Sequence, residues 1–320
     1  MSVIIYLIVF VLLLVAELLY FRIANKYNII DKPNGRSSHN YITIRGGGII
    51  WWVAALLFVL FNSSETTGWF LAGITLMAGI SLWDDVKGLG QKIRLLAHLV
   101  AMTCAFILVG AFGMYPWWAI ALGYIVFIGI VNAYNFMDGI NGITGLYSIA
   151  VLASLQYVNL SYGNFVHPDL IWYPMIASAV FLFFNFRKRA RCFAGDVGSV
   201  SVAFWVVTLL LLLMIKTENL IWIGFLMVYG VDAVMTILHR IYLKQNIMEA
   251  HRLHFYQILA NEKKVPHRLV SLIYFTVQLL CSALIIVLYP VMGWWILIIL
   301  AILLMLIYSF KFKFVKISNP

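Results

Sequence analysis

Long apolar runs alternate with short polar stretches along the whole chain. A helix needs about 20 largely apolar residues to cross a bilayer, within a range of about 17–25. On that basis eleven spans are predicted: 2–21, 46–63, 66–83, 95–112, 117–134, 142–160, 169–186, 198–215, 219–238, 269–289 and 292–310. No cation precedes the first run, whereas a cleaved signal would carry one there. Residues 2–21 therefore read as a retained span with the N-terminus outside.

The polar stretches sort by charge. With the N-terminus outside, the inside segments are 22–45, 84–94, 135–141, 187–197, 239–268 and 311–320. Every lysine and arginine except Lys216 falls in them. Positive residues in short loops favour the cytoplasmic side. This asymmetry sets the expected orientation, with a cytoplasmic C-terminus, and the odd parity of the span count. No linker, repeat or low-complexity tract divides the chain. The expectation is one all-α, polytopic integral membrane helical bundle over 1–320, with about eleven transmembrane helices.

Composition agrees with that pattern. Apolar residues make up 64% and charged residues 11%, against roughly 45–50% and 25% in soluble domains. The net charge of +10 is explained by topology, and no nucleic-acid partner is expected. Cys104, Cys192 and Cys281 lie in or beside apolar segments without metal-ligand spacing, so no disulfide framework is implied.

Five polar patches are placed on the predicted inside face. A carboxylate at membrane depth costs about 2.5–3.5 kcal/mol even on a lenient scale, so their repetition at one interface points to a site. Asp84-Asp85 closes the third span, where two adjacent carboxylates need a metal, a cation or water; Lys87 and Arg94 follow. Asn132, Asn135 and Asp138 are spaced by three and share a helical face, before a sharp break at Gly139, Asn141 and Gly142. Gly195-Asp196-x-Gly198-Ser199 opens the eighth span. Asp196 or Ser199 there reads either as a helix N-cap or as part of a phosphate-binding helix start. Arg187, Lys188, Arg189 and Arg191 precede it and read as a topology signal or a lipid-headgroup contact. Asp232 with Arg240 forms a fourth patch, and His251-Arg252-Leu253-His254 a fifth. Two histidines at i and i+3 suit zinc, but Arg252 between them opposes a cation, and phosphate fits better. A polar loop, Asp31 to His39 and then Arg45-Gly46-Gly47-Gly48, reads as a plain loop or a phosphate-side cover. Glu17 has no assignable partner.

In order along the chain these motifs resemble the polyprenyl-phosphate N-acetylhexosamine-1-phosphate transferase family (glycosyltransferase family 4). The resemblance rests on Asp31–His39 with Arg45–Gly48, Asp84-Asp85, Asn132–Gly142, Phe193–Ser199 and Glu249–Gln257, and covers nearly the whole chain. The last motif is most similar to the bacterial O-antigen-initiating branch, since the peptidoglycan translocase typically carries a run of histidines there. Two departures stand out: Asn141 where the family often has Asp, and Arg187-Lys188-Arg189-Ala190 where it often has Pro-Ala.

The resemblance implies attack of undecaprenyl phosphate on the β-phosphate of a UDP-N-acetylhexosamine, with release of UMP, at the cytoplasmic face of a bacterial inner membrane. It implies Mg²⁺, with Mn²⁺ admitted in its place, held by Asp196 with Asp84 or Asp85. Catalytic roles fall on Asp84, Asp85, Asp138 and Asp196. Substrate contacts fall on Asn132, Asn135, Phe193, Lys87, Arg94, Arg240, His251, Arg252 and His254. Within that set Phe193 stacks on uracil and the His-Arg-His cluster neutralises the pyrophosphate. Membrane lipid is a further partner, and a homodimer is admitted. The alternative from another class is a multi-spanning transporter of an anionic substrate, which would place charges near the bilayer midplane.

Overall fold

The computed structural model describes residues 3–33, 41–62, 65–246 and 251–314. The protein is an all-α helical bundle of the polytopic membrane class. Its helices are α1 (Val3–Lys26), α2 (Ile49–Phe61), α3 (Glu65–Lys87), α4 (Gln91–Leu108), the short α5 (Ala111–Met114), α6 (Trp117–Met137), α7 (Ile143–Ser161) and α8 (Asp169–Asn185). They continue with α9 (Gly195–Thr217), α10 (Met227–Tyr242), the single turn α11 (Phe255–Gln257), α12 (His267–Met292), α13 (Trp295–Ser309) and α14 (Lys311–Phe314). A 3₁₀ segment, Leu220–Leu226, leads into α10, and a π turn, Ile258–Glu262, follows α11. Two-residue strands β1 (Ile30–Asp31) and β2 (Thr43–Ile44) pair antiparallel between α1 and α2.

Each predicted apolar run falls on a helix. Among the described residues nine helical segments are long and apolar enough to cross a membrane; α2 and α8 are shorter. The 13 residues of α2 rise about 20 Å, less than the roughly 30 Å of a hydrocarbon core. The chain enters α2 through Gly46–Gly48, packed against Tyr20 of α1 and Gly198 of α9. Two boundaries differ from expectation in a way that matters. Helix α3 continues past residue 83 through Asp84 and Asp85 to Lys87, and α9 begins at Gly195 rather than 198. In both places polar residues extend the helix because their side chains find partners on another element.

The packing follows from sequence composition. Helix α9 is apolar on every side and almost wholly buried, as a helix without a polar face must be in a central position. It packs against α2, α3, α6 and α7. Helix α1 instead leaves Leu7, Val11, Val15 and Leu19 exposed, an apolar surface that suits lipid and not water. Gly48 permits a close approach of two backbones: a Cβ there would lie 2.2 Å from the Gly198 Cα. This contact between α2 and α9 brings the two loops that precede them into register.

Candidate active site

The loops before α2 and α9 are joined by main-chain bonds. Ile44 bridges Cys192 in parallel fashion. The Phe193 amide donates to the Ile44 carbonyl (2.8 Å), the Gly47 amide to the Phe193 carbonyl (2.9 Å), and the Gly48 amide to the Ala194 carbonyl (3.0 Å). Gly195 turns the chain at φ +69°, and a Cβ there would meet the Asp85 carboxylate at 2.5 Å and the Gly46 amide at 2.9 Å. Only glycine combines that conformation with that closeness.

This junction gathers three carboxylates and two guanidiniums. Arg45 Nε lies 2.7 Å from Asp85 Oδ1, and its Nη2 lies 3.5 Å from Asp196 Oδ1. Arg94 Nη1 lies 2.8 Å from Asp84 Oδ2 and 3.3 Å from Asp196 Oδ2. The Tyr20 hydroxyl donates to the Arg45 carbonyl and steadies it (2.7 Å). Like charges about 4 Å apart repel by about 4 kcal/mol at an effective dielectric of 20, so the arginines are what lets the three acids share one place.

The three acids are not equivalent. Asp85 is fully buried, and its oxygens accept the amides of Asp196 and Val197, each at 3.1 Å, as well as Arg45. It caps α9 from another helix, which is the role that the sequence suggested for Asp196 or Ser199 themselves. With both oxygens engaged, Asp85 fits the holding of a helix start better than the metal role expected of it. Asp84 accepts the Leu89 amide and pairs with Arg94, closing the end of α3. Asp196 meets the two arginines through its carboxylate oxygens, with the Asn135 amide beside it, and its side chain remains 21% exposed. It is the acid best placed to exchange protein cations for a ligand. Among the described residues no three acidic, histidine or cysteine side chains converge into a ready-made metal cage.

The C-terminal turn of α6 joins this junction to the next polar group. The Asn135 amide donates to the Ser199 hydroxyl of α9 (3.1 Å), and the Phe136 carbonyl accepts the Tyr256 hydroxyl (2.9 Å). Asn132 stands half-buried one turn earlier. Asp138 ends α6 and accepts the Thr144 hydroxyl at 2.6 Å. Burial pushes the Asp138 carboxyl up to about 7, against the Thr144 bond, which lowers it. A carboxyl so placed is protonated below about pH 7 and ionised above it. If Asp138 serves as an anion, activity rises with pH through 7, and Asp138→Asn removes that rising limb from a kcat/KM profile. A limb that survives the substitution would belong to another group.

Asn141 explains one departure from the family pattern. Its amide donates to the Arg187 carbonyl (2.8 Å), a bond that an ionised Asp could not make. It ties the turn after α6 to the basic loop after α8, where Asn185 also accepts the Gly142 amide.

Asp232 of α10 organises the His-Arg-Leu-His segment. It accepts the amides of Phe255 (2.9 Å) and Tyr256 (3.4 Å) and the hydroxyls of Tyr274 (2.7 Å) and Thr236 (3.2 Å), and lies 3.3 Å from His254 Nδ1. His254 is buried, and its Nε2 has no hydrogen-bond partner among the described residues. His251 stacks near it with ring centres 4.9 Å apart. Burial, then His254 and Arg240, push the His251 imidazole down to about 4. At neutral pH it is therefore a hydrogen-bonding group and not the cation expected. Arg240 is buried and bonds the Gln245 side chain and the Asn246 carbonyl, holding the turn after α10. Arg252 is half-buried in the same segment.

Some expected residues lie elsewhere. Lys87 is exposed and sits over the Trp83 ring, 6.0 Å from its centre, not against the acids. Phe193 is half-buried, with its backbone engaged to β2. Residues 34–40, with Arg36 and His39, and Glu249-Ala250 fall outside the described residues. Arg45, expected only as part of a plain loop or a phosphate-side cover and not among the site residues, touches two of the acids; the glycines after it were the available signal. Glu17 finds a partner after all, accepting the Cys192 thiol at 3.5 Å beneath Gly47.

Acids, arginines and histidines thus gather around α3, α6, α9 and α10 of a polytopic membrane bundle, and this group is the candidate site. Residues 67–214 match the model for glycosyl transferase family 4, and this match together with the relatives supports that family for the chain. Over 301 residues it is 28% identical to the probable undecaprenyl-phosphate N-acetylglucosaminyl 1-phosphate transferase of Bacillus subtilis (strain 168), covering 88% of this chain and 84% of that protein. It is 25% identical to the undecaprenyl-phosphate alpha-N-acetylglucosaminyl 1-phosphate transferase of Yersinia pestis, over 59% of this chain and 57% of the relative. A shorter stretch of 88 residues is 39% identical to the phospho-N-acetylmuramoyl-pentapeptide-transferase of Petrotoga mobilis, covering 28% of this chain and 25% of that protein. The chain thus spans most of the Bacillus protein and a little over half of the Yersinia one. The family match takes in Asp84, Asp85, Arg94, Asp138 and Asp196, and leaves Arg45 and the histidine segment outside it.

Proposed function

We infer that this protein is a bacterial membrane enzyme that transfers an N-acetylhexosamine-1-phosphate from a UDP-sugar, such as UDP-GlcNAc, to undecaprenyl phosphate. The products are undecaprenyl-diphosphate-sugar and UMP. The reading rests above all on Asp196, an incompletely buried carboxylate between Arg45 and Arg94. The names of the relatives supply undecaprenyl phosphate and the N-acetylglucosaminyl phosphate group.

The chemistry suits these residues. An oxygen of the acceptor phosphate forms a bond to the β-phosphorus of the donor, and the bond from that phosphorus to the UMP oxygen breaks. The second pKa of a phosphate is near 6, so the nucleophile is largely dianionic at neutral pH and needs no base. Such transfer depends on positioning and on neutralising charge between anions. Arg45 and Arg94 supply charge at the acids, while His254, through its Nε2, and Arg252 supply contacts to the pyrophosphate. Asn135 and Asp138 orient the nucleotide or sugar. Mg²⁺ takes hard oxygens and commonly one or two carboxylates plus substrate phosphates. Asp196 and Asp84, which share Arg94, fit that donor set, and the bound ion would neutralise phosphate charge.

The cytoplasmic face is assigned from the lysine and arginine distribution. An initiating role in a cell-surface polysaccharide, of the O-antigen kind, is supported by the His251-Arg252-Leu253-His254 segment. The test is direct. Membranes holding the protein release UMP from UDP-GlcNAc when polyprenyl phosphate and Mg²⁺ are added, and do not when the lipid is omitted. No release with any UDP-N-acetylhexosamine would overturn the reading. Thiol labelling from outside should reach a cysteine placed at Asn164 and miss one at Gln245; the reverse pattern would move the site to the other face.

A further inference from the structure

A cavity of about 450 Å³ lies beside β2, and none of Asp84, Asp85 and Asp196 lines it. Leu18 and Phe21 of α1 and Ile44 of β2 form its apolar wall. Arg22 and Asn25 of α1 and Arg191 of the loop before α9 form its polar side. Both guanidiniums are exposed, and neither has a carboxylate or hydrogen-bond partner among the described residues. No acidic side chain among the described residues lines the cavity, which favours an anion over a metal. The wall continues along α1 into the exposed apolar surface of Val11, Val15 and Leu19. Cations at the end of a lipid-facing apolar strip match a phosphate headgroup with its chains along the helix.

We propose that this cavity binds the phosphodiester headgroup of an anionic membrane phospholipid, such as phosphatidylglycerol. The acceptor of the transfer reaction fits it less well, because an acceptor phosphate must reach the donor beside Asp196. The adjoining Arg45 reaches Asp85 and Asp196, whereas Arg22 and Arg191 reach neither. An occupied cavity would press on Ile44 and β2, next to Arg45, and so give the surrounding lipid a route to the site.

The test reads lipid binding and stands whether or not the protein is a transferase. The full chain is placed in nanodiscs holding phosphatidylglycerol and phosphatidylethanolamine, then released and weighed by native mass spectrometry. The wild type should retain phosphatidylglycerol selectively. Each cation near a surface contributes about fivefold, so Arg22→Gln with Arg191→Gln should lower retention about twentyfold or more. Ile42→Trp, which fills the cavity without changing charge, should lower it too. Lys26→Gln, on the same helix but outside the cavity, should not. Equal retention by the double variant would overturn the proposal. So would displacement of the bound lipid by polyprenyl phosphate, which would make the cavity the acceptor seat, or by inorganic phosphate, which would make it a free-anion site.

Discussion

Asp196→Asn should lower turnover by about a hundredfold to a thousandfold while the protein still inserts and keeps its melting temperature within about 2 °C. Losing one preorganised electrostatic contact to a reacting group commonly costs that much. The side chain is partly exposed, and its oxygens meet arginines, which can turn to water or substrate when the charge is gone. The start of α9 stays capped, because the cap is Asp85. The measurement is UMP release across a magnesium titration, with thermal unfolding in detergent beside it. Near-wild-type activity at every magnesium level would reduce Asp196 to a partner of Arg45 and Arg94.

Asp85→Asn should behave differently. Its carboxylate is fully buried and accepts two backbone amides and a guanidinium. The asparagine has one accepting oxygen, and its NH₂ would face a donor. A buried donor left unsatisfied costs about 1–3 kcal/mol, and bonds to charged groups lie at the upper end. Arg45 is partly exposed and recovers some of that through water. A drop of roughly 2–6 °C in melting temperature follows, taking about 2 °C per kcal/mol for a chain of this size. Activity should fall as well, because Arg45 and the Gly46–Gly48 turn lose their anchor. A variant as stable as the wild type but inactive would instead place Asp85 on the substrate or metal. The two adjacent acids of the Asp84-Asp85 pair and Asp196 are thus separable by comparing stability with turnover.

The bundle was legible in the sequence because a bilayer imposes it. A run of about 20 apolar residues and a bias of cations to one side are local properties, readable without knowing what packs on what. Each of the eleven apolar runs accordingly falls on a helix, and Asp84, Asp85, Asp138 and Asp196 stand at helix ends, whereas Asp232 lies inside α10. The ends themselves were read short at residue 83 and late at residue 198, since hydropathy stops where carboxylates begin. Asp85 and the α9 amides prolong those helices by bonding to each other, and hydropathy does not register such a bond.

The sequence by itself therefore determined the membrane class, the predicted sidedness and the set of polar motifs from which a site could be built. Tertiary structure alone decided the division of labour among them. Asp84 and Asp85 are chemically identical neighbours, yet one closes its own helix and the other caps α9, because successive residues on a helix point in different directions. Arg45 acquired its place because the glycines after it let the loop before α2 lie against the loop before α9, across some 150 residues of chain. His251 lost its expected charge because burial beside His254 and Arg240 opposes protonation. Each of these depends on which distant side chain, or how little water, stands within a few ångströms, and packing sets both.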